Sequence, residues 1–368
     1  MKILRTFKIN ILDRYIIGKF LGTFFFAIIL IIVVVIVFDI SEKIDNFIEK
    51  KAPLQAIVFD YYFNFVPYFV SLFSSLFIFI SVIFFTSKMA SQSEIIAILS
   101  SGISFRRFLY PYFLGACFLA AFSFFLNDFI MPSANTKRLE FEDKYIRNPM
   151  VFHDRNVHKQ VEPGLFVYLE SFSNSSEIAH RFSLERYEDD RMVSKLMSES
   201  ALWDNEKEKW TIRNYYVRDI DSLGNETLHI GASIDTTINL YPSEFKRRAD
   251  KFIETMNIAE LRDFIEDLRM QGADNVKISL VELHKRIAAP FSTFILTLIG
   301  VSLSTRKVRG GIGLHLAIGV AIIFLYILFM QFSVEFATKG NLHPIIAAWV
   351  PNIIFGFISI FLYKLTPK

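Results

Sequence analysis

Long uncharged runs alternate with polar segments along this chain of 368 residues. The first run, Phe20 to Phe38, would form about 28 Å of helix, which matches a bilayer hydrocarbon core of about 30 Å. A cleavable signal peptide is the alternative for this run, but no small-residue cleavage site follows it. Five similar runs predict five more transmembrane helices, at Tyr61–Thr86, Phe108–Ile130, Ile287–Leu303, Gly311–Val334 and Pro344–Tyr363.

A polar segment separates the six runs into two groups of three, and apolar residues alternate with polar ones along it. This period of two predicts strands at Leu165–Phe172, Arg181–Tyr187, Met192–Leu202, Trp210–Arg218 and Thr227–Leu240, with turns at Asn174-Ser175-Ser176 and Gly224-Asn225. Several short strands at this spacing indicate a sandwich or jelly roll. A helical pattern follows, with Asn257 and Glu260 as its capping box, Gly272 at its end, and an apolar stripe of Leu261, Phe264, Ile265 and Leu268.

These patterns predict a mixed membrane protein, in which six transmembrane α-helices (3+3) carry an inserted β-jellyroll domain. Residues 1–133 form the amino terminus and first three spans, with a docking helix at 87–107. Residues 134–255 form the β domain, 256–275 a connecting helix, and 276–368 the last three spans.

The distribution of charge predicts the orientation in the membrane. One side carries thirteen Lys and Arg against two acids, Asp13 and Glu94, which is a net charge of +11. Because the whole chain carries +3, the remainder carries −8. Positive loops stay in the cytoplasm, so both termini are predicted to be cytoplasmic and the β domain periplasmic. The cations follow topology, and no nucleic-acid partner is expected.

The segment between the second and third runs, SKMASQSEIIAILSSGISFRR at 87–107, is short, basic and amphipathic. Its apolar positions recur at helical spacing, Gly102 is placed to end a helix, and Arg106 and Arg107 follow at a membrane boundary. We expect a docking helix that receives force from a soluble partner. Glu94 would pair with a cation of that partner; a solvated carboxylate is the alternative.

No catalytic, metal or cofactor site is expected in this chain. It lacks the G-x-x-x-x-G-K-[ST] phosphate loop, so any ATP is hydrolysed by another polypeptide. Gly310, Gly311 and Gly313 are interpreted as small residues for helix packing. A metal or proton-relay site is considered for Glu282, His284, Lys285 and Arg286, and a relay for His315, but interfacial anchoring and polar packing are preferred.

Cations near the external ends of the first three runs could hold anionic head groups, because Lys and Arg match phosphate at a partly dehydrated interface. The candidates are Lys43, Lys50, Lys51, Lys137 and Arg138. Acids lie among them, and a solvated loop remains the alternative.

Several stretches resemble the lipopolysaccharide-export permeases, the LptF/LptG family, essentially from end to end. They are LDRYIIGKFLGTF near residue 12, SEIIAILSSGISFRR at 93–107, PGLFVYLESF at 163–172, ELHKRIAAPFSTFILTLIGVSLSTRKVRGG at 282–311 and AAWVPNIIF at 347–355. The LDRY opening is closer to LptG than to LptF.

This resemblance implies an inner-membrane ABC transporter subunit without its own ATPase site. Expected partners are a cytoplasmic ATPase dimer, a paralogous permease subunit, periplasmic bridge proteins of jellyroll fold, lipopolysaccharide and membrane lipids. Ser93, Glu94 and Ile95 match the family's coupling helix, and the ATPase-docking residues are predicted to be Ser93, Glu94, Ile95, Ala97, Gly102, Arg106 and Arg107. The lipid-binding residues are predicted to be Lys43, Lys137 and Arg138.

The resulting hypothesis is a permease that extracts lipopolysaccharide from the outer leaflet of the inner membrane and passes it to a periplasmic bridge. One alternative is a mechanotransmitting ABC subunit that moves a periplasmic partner without carrying lipid. Another is a membrane receptor, but no cytoplasmic output domain is present in the sequence.

Overall fold

The computed structural model describes residues 9–146, 156–173, 176–189, 191–205, 207–221, 223–242, 249–270, 276–308 and 310–366. The chain divides into two compact units. The membrane unit comprises residues 1–145 and 280–368, and the inserted unit comprises residues 146–279.

Six helices of the described chain are long and apolar enough to cross a membrane, which confirms the predicted spans. They are α1 (Ile11–Glu49), α2 (Leu54–Ser91), α4 (Phe105–Tyr145), α7 (Val276–Ser304), α8 (Gly311–Thr338) and α9 (Pro344–Leu365). A short helix, α3 (Glu94–Ser100), joins α2 to α4. Because α4 continues to Tyr145, residues 134–145, which were predicted to open the β domain, are helical instead.

Helix α2 is central in the membrane unit, where it contacts α1, α4 and α8. Phe79 and Ile83 of α2 pack in one buried cluster with residues of the last three spans: Leu296, Ile299, Ile323, Tyr326 and Phe355. Glycines permit the closest helix approaches, as is common where helices pack in lipid. A Cβ atom on Gly300 would lie 2.9 Å from Val82, and one on Gly319 would overlap Ile83.

Two of the membrane helices contain a π-helical stretch, Ile57–Tyr62 in α2 and Leu126–Ile130 in α4. Such stretches add a residue to the helical turn and are frequent at functional sites. The stretch in α2 places the adjacent side chains of Tyr61 and Tyr62 so that both hydroxyls donate to the carboxylate of Asp39 in α1.

The inserted unit contains an antiparallel sheet, which confirms the predicted β domain. Its described strands are β1 (Val157–Glu162), β2 (Leu165–Leu169), β3 (Ser171–Ser173), β4 (Ile178–Glu188), β5 (Arg191–Asp204), β6 (Lys209–Ile220) and β7 (Glu226–Thr236). The order is β1-β2-β4-β5-β6-β7, and β3 also pairs with β4. Strand β1 was not predicted, because only Val161 in it is buried and polar residues occupy most other positions.

Trp210 is the centre of the core of the sheet. Its side chain is fully buried and its indole N–H donates to the carbonyl of Leu240 at 2.8 Å. The rings of Phe172, Phe182 and Trp203 surround it, with centroids 5.4 to 6.3 Å away. The sheet therefore buries one apolar face around a single large aromatic side chain.

The inward-facing side chains change phase in the middle of the long strands. In β5, Leu196 and Ser198 are buried, and then Ala201 and Trp203, which is a spacing of three across the break. Arg181 in β4 and Asn214 in β6 have a positive φ of 49° beside this point. The Ser198 hydroxyl donates to the Arg213 carbonyl at 2.6 Å and so satisfies a backbone group at the irregularity.

Two helices follow the sheet, α5 (Ala249–Ile253) and α6 (Ile258–Met270). The predicted capping box of α6 is confirmed, because Asn257 and Glu260 exchange side-chain to backbone hydrogen bonds of 2.9 Å. The predicted end of the helix at Gly272, and the turn residues Asn174 and Ser175, lie outside the described residues.

Candidate functional site

The docking segment, residues 87–107, is a tight helical connection between α2 and α4. Two left-handed residues bracket α3: Ser93 with a φ of +62° and Gly102 with a φ of +88°. Ser104 then begins α4, because its hydroxyl accepts the backbone N–H of Arg107 at 3.3 Å. The predicted helix is present, and Gly102 follows it as predicted, although α3 spans only seven residues.

The apolar side chains of α3 divide between the protein interior and the outside. Ile95 is 1% exposed and anchors the helix, whereas Ile96 is 53% exposed. Ala97 is also exposed, and Ile98 and Leu99 are half-buried. The helix therefore presents Ile96 and Ala97 as a small apolar surface that the membrane unit leaves uncovered.

Both ends of the docking segment contact other parts of the membrane unit. At the start of α3, the Tyr15 hydroxyl donates to the Glu94 carboxylate at 3.0 Å. The ammonium of Lys307, in the α7–α8 loop, donates to the Ser93 hydroxyl at 3.4 Å. Glu94 therefore has a partner within this chain, and its predicted pairing with a separate polypeptide stays a prediction.

At the end of the docking segment, Arg107 makes a bidentate contact with Asp13. The two guanidinium nitrogens lie 2.5 and 2.6 Å from the two carboxylate oxygens, and Asp13 is fully buried. Arg106 points outward and is exposed. Asp13 was not among the predicted site residues, although Asp13 and Glu94 are the two acids found with thirteen cations on the basic side.

Two of the three candidate lipid-binding cations have partners within the chain. The Lys43 ammonium contacts Asp39 at 2.5 Å, donates to the Tyr61 hydroxyl and lies 4.9 Å from the Tyr61 ring centroid. Arg138 is 5% exposed, pairs with Glu142 at 2.6 Å and lies 4.0 Å above the Tyr68 ring. These contacts hold both charges close to the helices.

The remaining candidate, Lys137, is exposed on α4. It follows Asn135 and precedes the buried Arg138, so the helix turns its side chain away from the core that holds its neighbours. Among the three candidates, Lys137 is therefore the one whose ammonium is most accessible to a ligand.

Other polar residues of interest in the sequence take structural roles. Glu282 pairs with Lys285 at 2.5 Å and Arg286 at 3.1 Å on its own helix. His315 is buried, with its Nδ1 atom 2.9 Å from the Ser87 hydroxyl, which confirms the packed polar interpretation.

The helix-packing interpretation of the three glycines after α7 stays a prediction, since a Cβ on Gly310 would lie 2.8 Å from the Cβ of Leu314 in α8 and the other two glycines make no close approach. No neighbouring atom lies within 4 Å of a Cβ placed on Gly311 or Gly313. Gly311 instead has a φ of +63°, which a turn needs and most other residues avoid. Close approaches between different membrane helices occur at Gly115, Gly300 and Gly319.

Comparison with known proteins identifies a family. A search of curated proteins gives no significant match. A family model described as "Lipopolysaccharide export system permease LptF/LptG" matches residues 14–365, a range that runs from the first turn of α1 to the end of α9 and includes the docking segment and the sheet. The model covers both paralogues, so the prediction of a greater likeness to LptG stays a prediction. Because the match extends over nearly the whole chain, this protein belongs to the LptF/LptG family of lipopolysaccharide export permeases.

Proposed function

We propose that this multi-pass inner-membrane permease is one subunit of an ATP-driven transporter, which extracts lipopolysaccharide from the outer leaflet and delivers it to a periplasmic bridge. A separate cytoplasmic ATPase dimer docks on α3 and supplies the work. Both termini and α3 face the cytoplasm, and the β domain faces the periplasm. Membership of the export family and the exposed apolar surface of α3 support this proposal.

The exposure of Ile96 and Ala97 is the observation that best supports docking at α3, because the opposite side of this helix is packed against the membrane unit. Ile95 packs α3 against the membrane unit, and Glu94 and Ser93 at its start accept hydrogen bonds from Tyr15 and Lys307. A rigid helix that offers a small apolar patch fits a groove on a partner protein. A short surface of this kind can pass on movement because it does not need to fold when it binds.

Apolar side chains on α1 and α8 support a lipid pathway shared with a second permease subunit. On α1, Val33, Val37 and Phe38 are more than half exposed, and so are Val320, Phe324 and Phe336 on α8. Such surfaces suit acyl chains or a neighbouring apolar helix. In the proposed transporter, these two helices form the walls through which the lipid enters and leaves.

Lys137 is proposed as the direct contact for an anionic head group, since its ammonium is exposed beside the external end of α4. Lys43 and Arg138 are neutralised by Asp39 and Glu142 in this structure. The two paired cations would reach phosphate only when their carboxylate partners move away.

Docking is tested by charge substitutions on the exposed side of α3. Ile96→Asp and Ala97→Asp should reduce copurification of the ATPase about tenfold or more, because a carboxylate would be buried in an apolar contact. Leu223→Asp is the matched control, since Leu223 is 85% exposed in the β6–β7 turn. Equal copurification of all three variants would refute docking at α3.

Lipid transport is tested in proteoliposomes that contain the complete complex. Release of lipopolysaccharide to an acceptor should require ATP, and a photoreactive residue at Val33 or Phe324 should crosslink to the lipid. ATP-dependent movement of the β domain without crosslinking or release would instead favour the mechanotransmitting alternative.

The proposed orientation is tested in whole cells. A cysteine introduced at Ser100, in a Cys117→Ser background, should not react with a membrane-impermeant thiol reagent. Labelling would show that α3 faces the periplasm and would reverse the proposed orientation.

A further inference from the structure

Two contacts attach the docking segment to the start of α1. The Asp13 carboxylate accepts hydrogen bonds from the Nη1 and Nη2 atoms of Arg107, and Tyr15, two residues further on, donates to Glu94. The paired residues are 94 and 79 positions apart in the chain. Glu94 begins α3 and Arg107 lies in the first turn of α4, so α1 is joined to both ends of the loop that contains α3.

The Asp13–Arg107 contact fixes orientation as well as distance. A planar guanidinium that makes two parallel hydrogen bonds to a carboxylate resists rotation, whereas a single ammonium contact would not. Asp13 is fully buried, and its Oδ2 atom also accepts the backbone N–H of Asn10 at 2.8 Å. The first turn of α1 and the first turn of α4 are therefore held in one arrangement.

Beyond this attachment, α1 is packed along only part of its length. Its buried stripe continues through Ile16, Phe20, Phe24 and Ile28, and the ring of Phe20 stacks on that of Phe85 at 5.7 Å. No residue between Ile28 and Phe47 is buried in the described chain. Further along, Asp39 of α1 accepts hydrogen bonds from the Tyr61 and Tyr62 hydroxyls of α2. Because α1 is one continuous helix, a displacement of its first turn is transmitted along it toward this contact.

We propose that Asp13 and Arg107, with Tyr15 as a second attachment to Glu94, are positioning residues that carry movement of the docking segment into α1. This inference rests on the proposed function, because it assumes that an ATPase docks on α3. When the ATPase displaces α3, the bidentate ion pair turns α1 with it. Without the pair, the ATPase still docks and hydrolyses ATP, but α1 no longer follows.

The first test measures the physical link in the purified complex. Spin labels at Ile11 and Gln92, both exposed, report the distance between the start of α1 and the docking segment. We expect a narrow distribution that does not change when a non-hydrolysable ATP analogue is added. Asp13→Asn, which keeps the side-chain shape, should broaden the distribution and make it depend on nucleotide.

The second test measures coupling in proteoliposomes. Asp13→Asn should lower the lipid released per ATP hydrolysed about fivefold or more, at the lower end of ordinary coupling between sites, while the ATPase still copurifies. Arg107→Lys keeps the positive charge but cannot make two parallel hydrogen bonds to Asp13. It should lower the lipid released per ATP less than Asp13→Asn does, and Tyr15→Phe should lower it less again. A role in stability alone would lower the yield of complex and leave this ratio unchanged.

Glu282→Gln is the matched control, because it breaks a partly buried carboxylate–guanidinium contact within a single helix. It should change neither the distance distribution nor the lipid released per ATP.

The proposal is overturned if Asp13→Asn gives the same distances and the same lipid release per ATP as Glu282→Gln. It is also overturned if Asp13→Asn fails to assemble while Arg107→Lys and Tyr15→Phe behave as the unmodified protein. A complex that hydrolyses ATP but releases no lipid would contradict the proposed function, and the distance measurement would still decide this inference.

Discussion

Three of the membrane helices meet at one buried asparagine, and its removal should destabilise the membrane unit measurably. Asn352 of α9 donates to the carbonyl of Ala288 in α7 at 2.9 Å and accepts the hydroxyl of Tyr326 in α8, also at 2.9 Å. Asn352 is 3% exposed, so water does not replace either contact. Asn352→Leu keeps a similar volume and removes both hydrogen bonds.

The expected loss follows from what such bonds contribute in lipid. Hydrogen bonds between membrane helices average about 0.6 kcal/mol and reach about 1.7 kcal/mol. The Tyr326 hydroxyl would also lose Asn352 and keep its contact with Ser292, and a buried group that is left incompletely satisfied costs up to about 1–3 kcal/mol. We therefore expect Asn352→Leu to cost about 1–3 kcal/mol in total, or about 5- to 150-fold in the ratio of folded to unfolded protein.

Reversible unfolding in mixed micelles, with increasing denaturing detergent, would measure this change. Tyr326→Phe in the Asn352→Leu background removes the hydroxyl that has lost its hydrogen bond to residue 352. The double variant should therefore regain part of the lost stability. If Asn352→Leu lies within about 0.5 kcal/mol of the unmodified protein, the size of an ordinary surface substitution, the network does not stabilise the helices as argued.

Three further predictions concern packing and charge. Trp210→Ala should cost the β domain about 3–5 kcal/mol and make it sensitive to protease, whereas Trp210→Phe should be intermediate; equal sensitivity would contradict the assigned core. Gly319→Val should cost about 1–3 kcal/mol by thermal unfolding because its side chain would overlap Ile83, and Ile83→Ala should restore much of the loss; no recovery would place the strain elsewhere. Hydrogen bonds from the side chain and backbone of Asn225 hold the pKa of Asp221 below its ordinary value of 3.8. The ionised Asp221 should therefore stabilise this turn fully at pH values above 3.8. The stabilisation should be lost as the pH falls further, through the lowered pKa of the folded protein, and amide exchange at Asn225 would measure this loss.

Much of the fold could be predicted because lipid restricts the choices. An uncharged run such as Phe20–Phe38 has to form a helix, since every backbone group in the hydrocarbon needs an internal partner. The helix ends could not be predicted in this way, because residues such as Lys137 and Glu142 continue α4 beyond the apolar run. Strand β1 was missed for a related reason: its pairing with β2 holds it in the sheet although few of its side chains are buried.

The position of the docking helix was predictable from its flanking turns, and its contacts were not. Gly102 and the basic boundary marked the segment in the sequence. Nothing in the local pattern indicated that Arg107 would meet Asp13, because a pairing across 94 residues depends on how α1 packs beside α4. A lone buried acid among cations is the available signal, since an unpaired charge in such a place would be costly. Packing of α1 against α2 likewise adds the Tyr61 hydroxyl to the contact that Lys43 makes with Asp39 on its own helix.

The change of phase at Ser198 has a consequence for how the β domain tolerates change. On either side of this hydroxyl, odd and even positions of one strand exchange the roles of lining the core and meeting water. Deleting one residue between Ser198 and Ala201 would therefore bring the buried positions to a continuous spacing of two, whereas a single-residue deletion elsewhere in β5 would move the buried side chains on one side of it to the solvent face. In a systematic scan of substitutions, the positions where a change lowers stability should alternate along β4, β5 and β6. At the same place in each strand, two successive sensitive positions should be three residues apart instead of two.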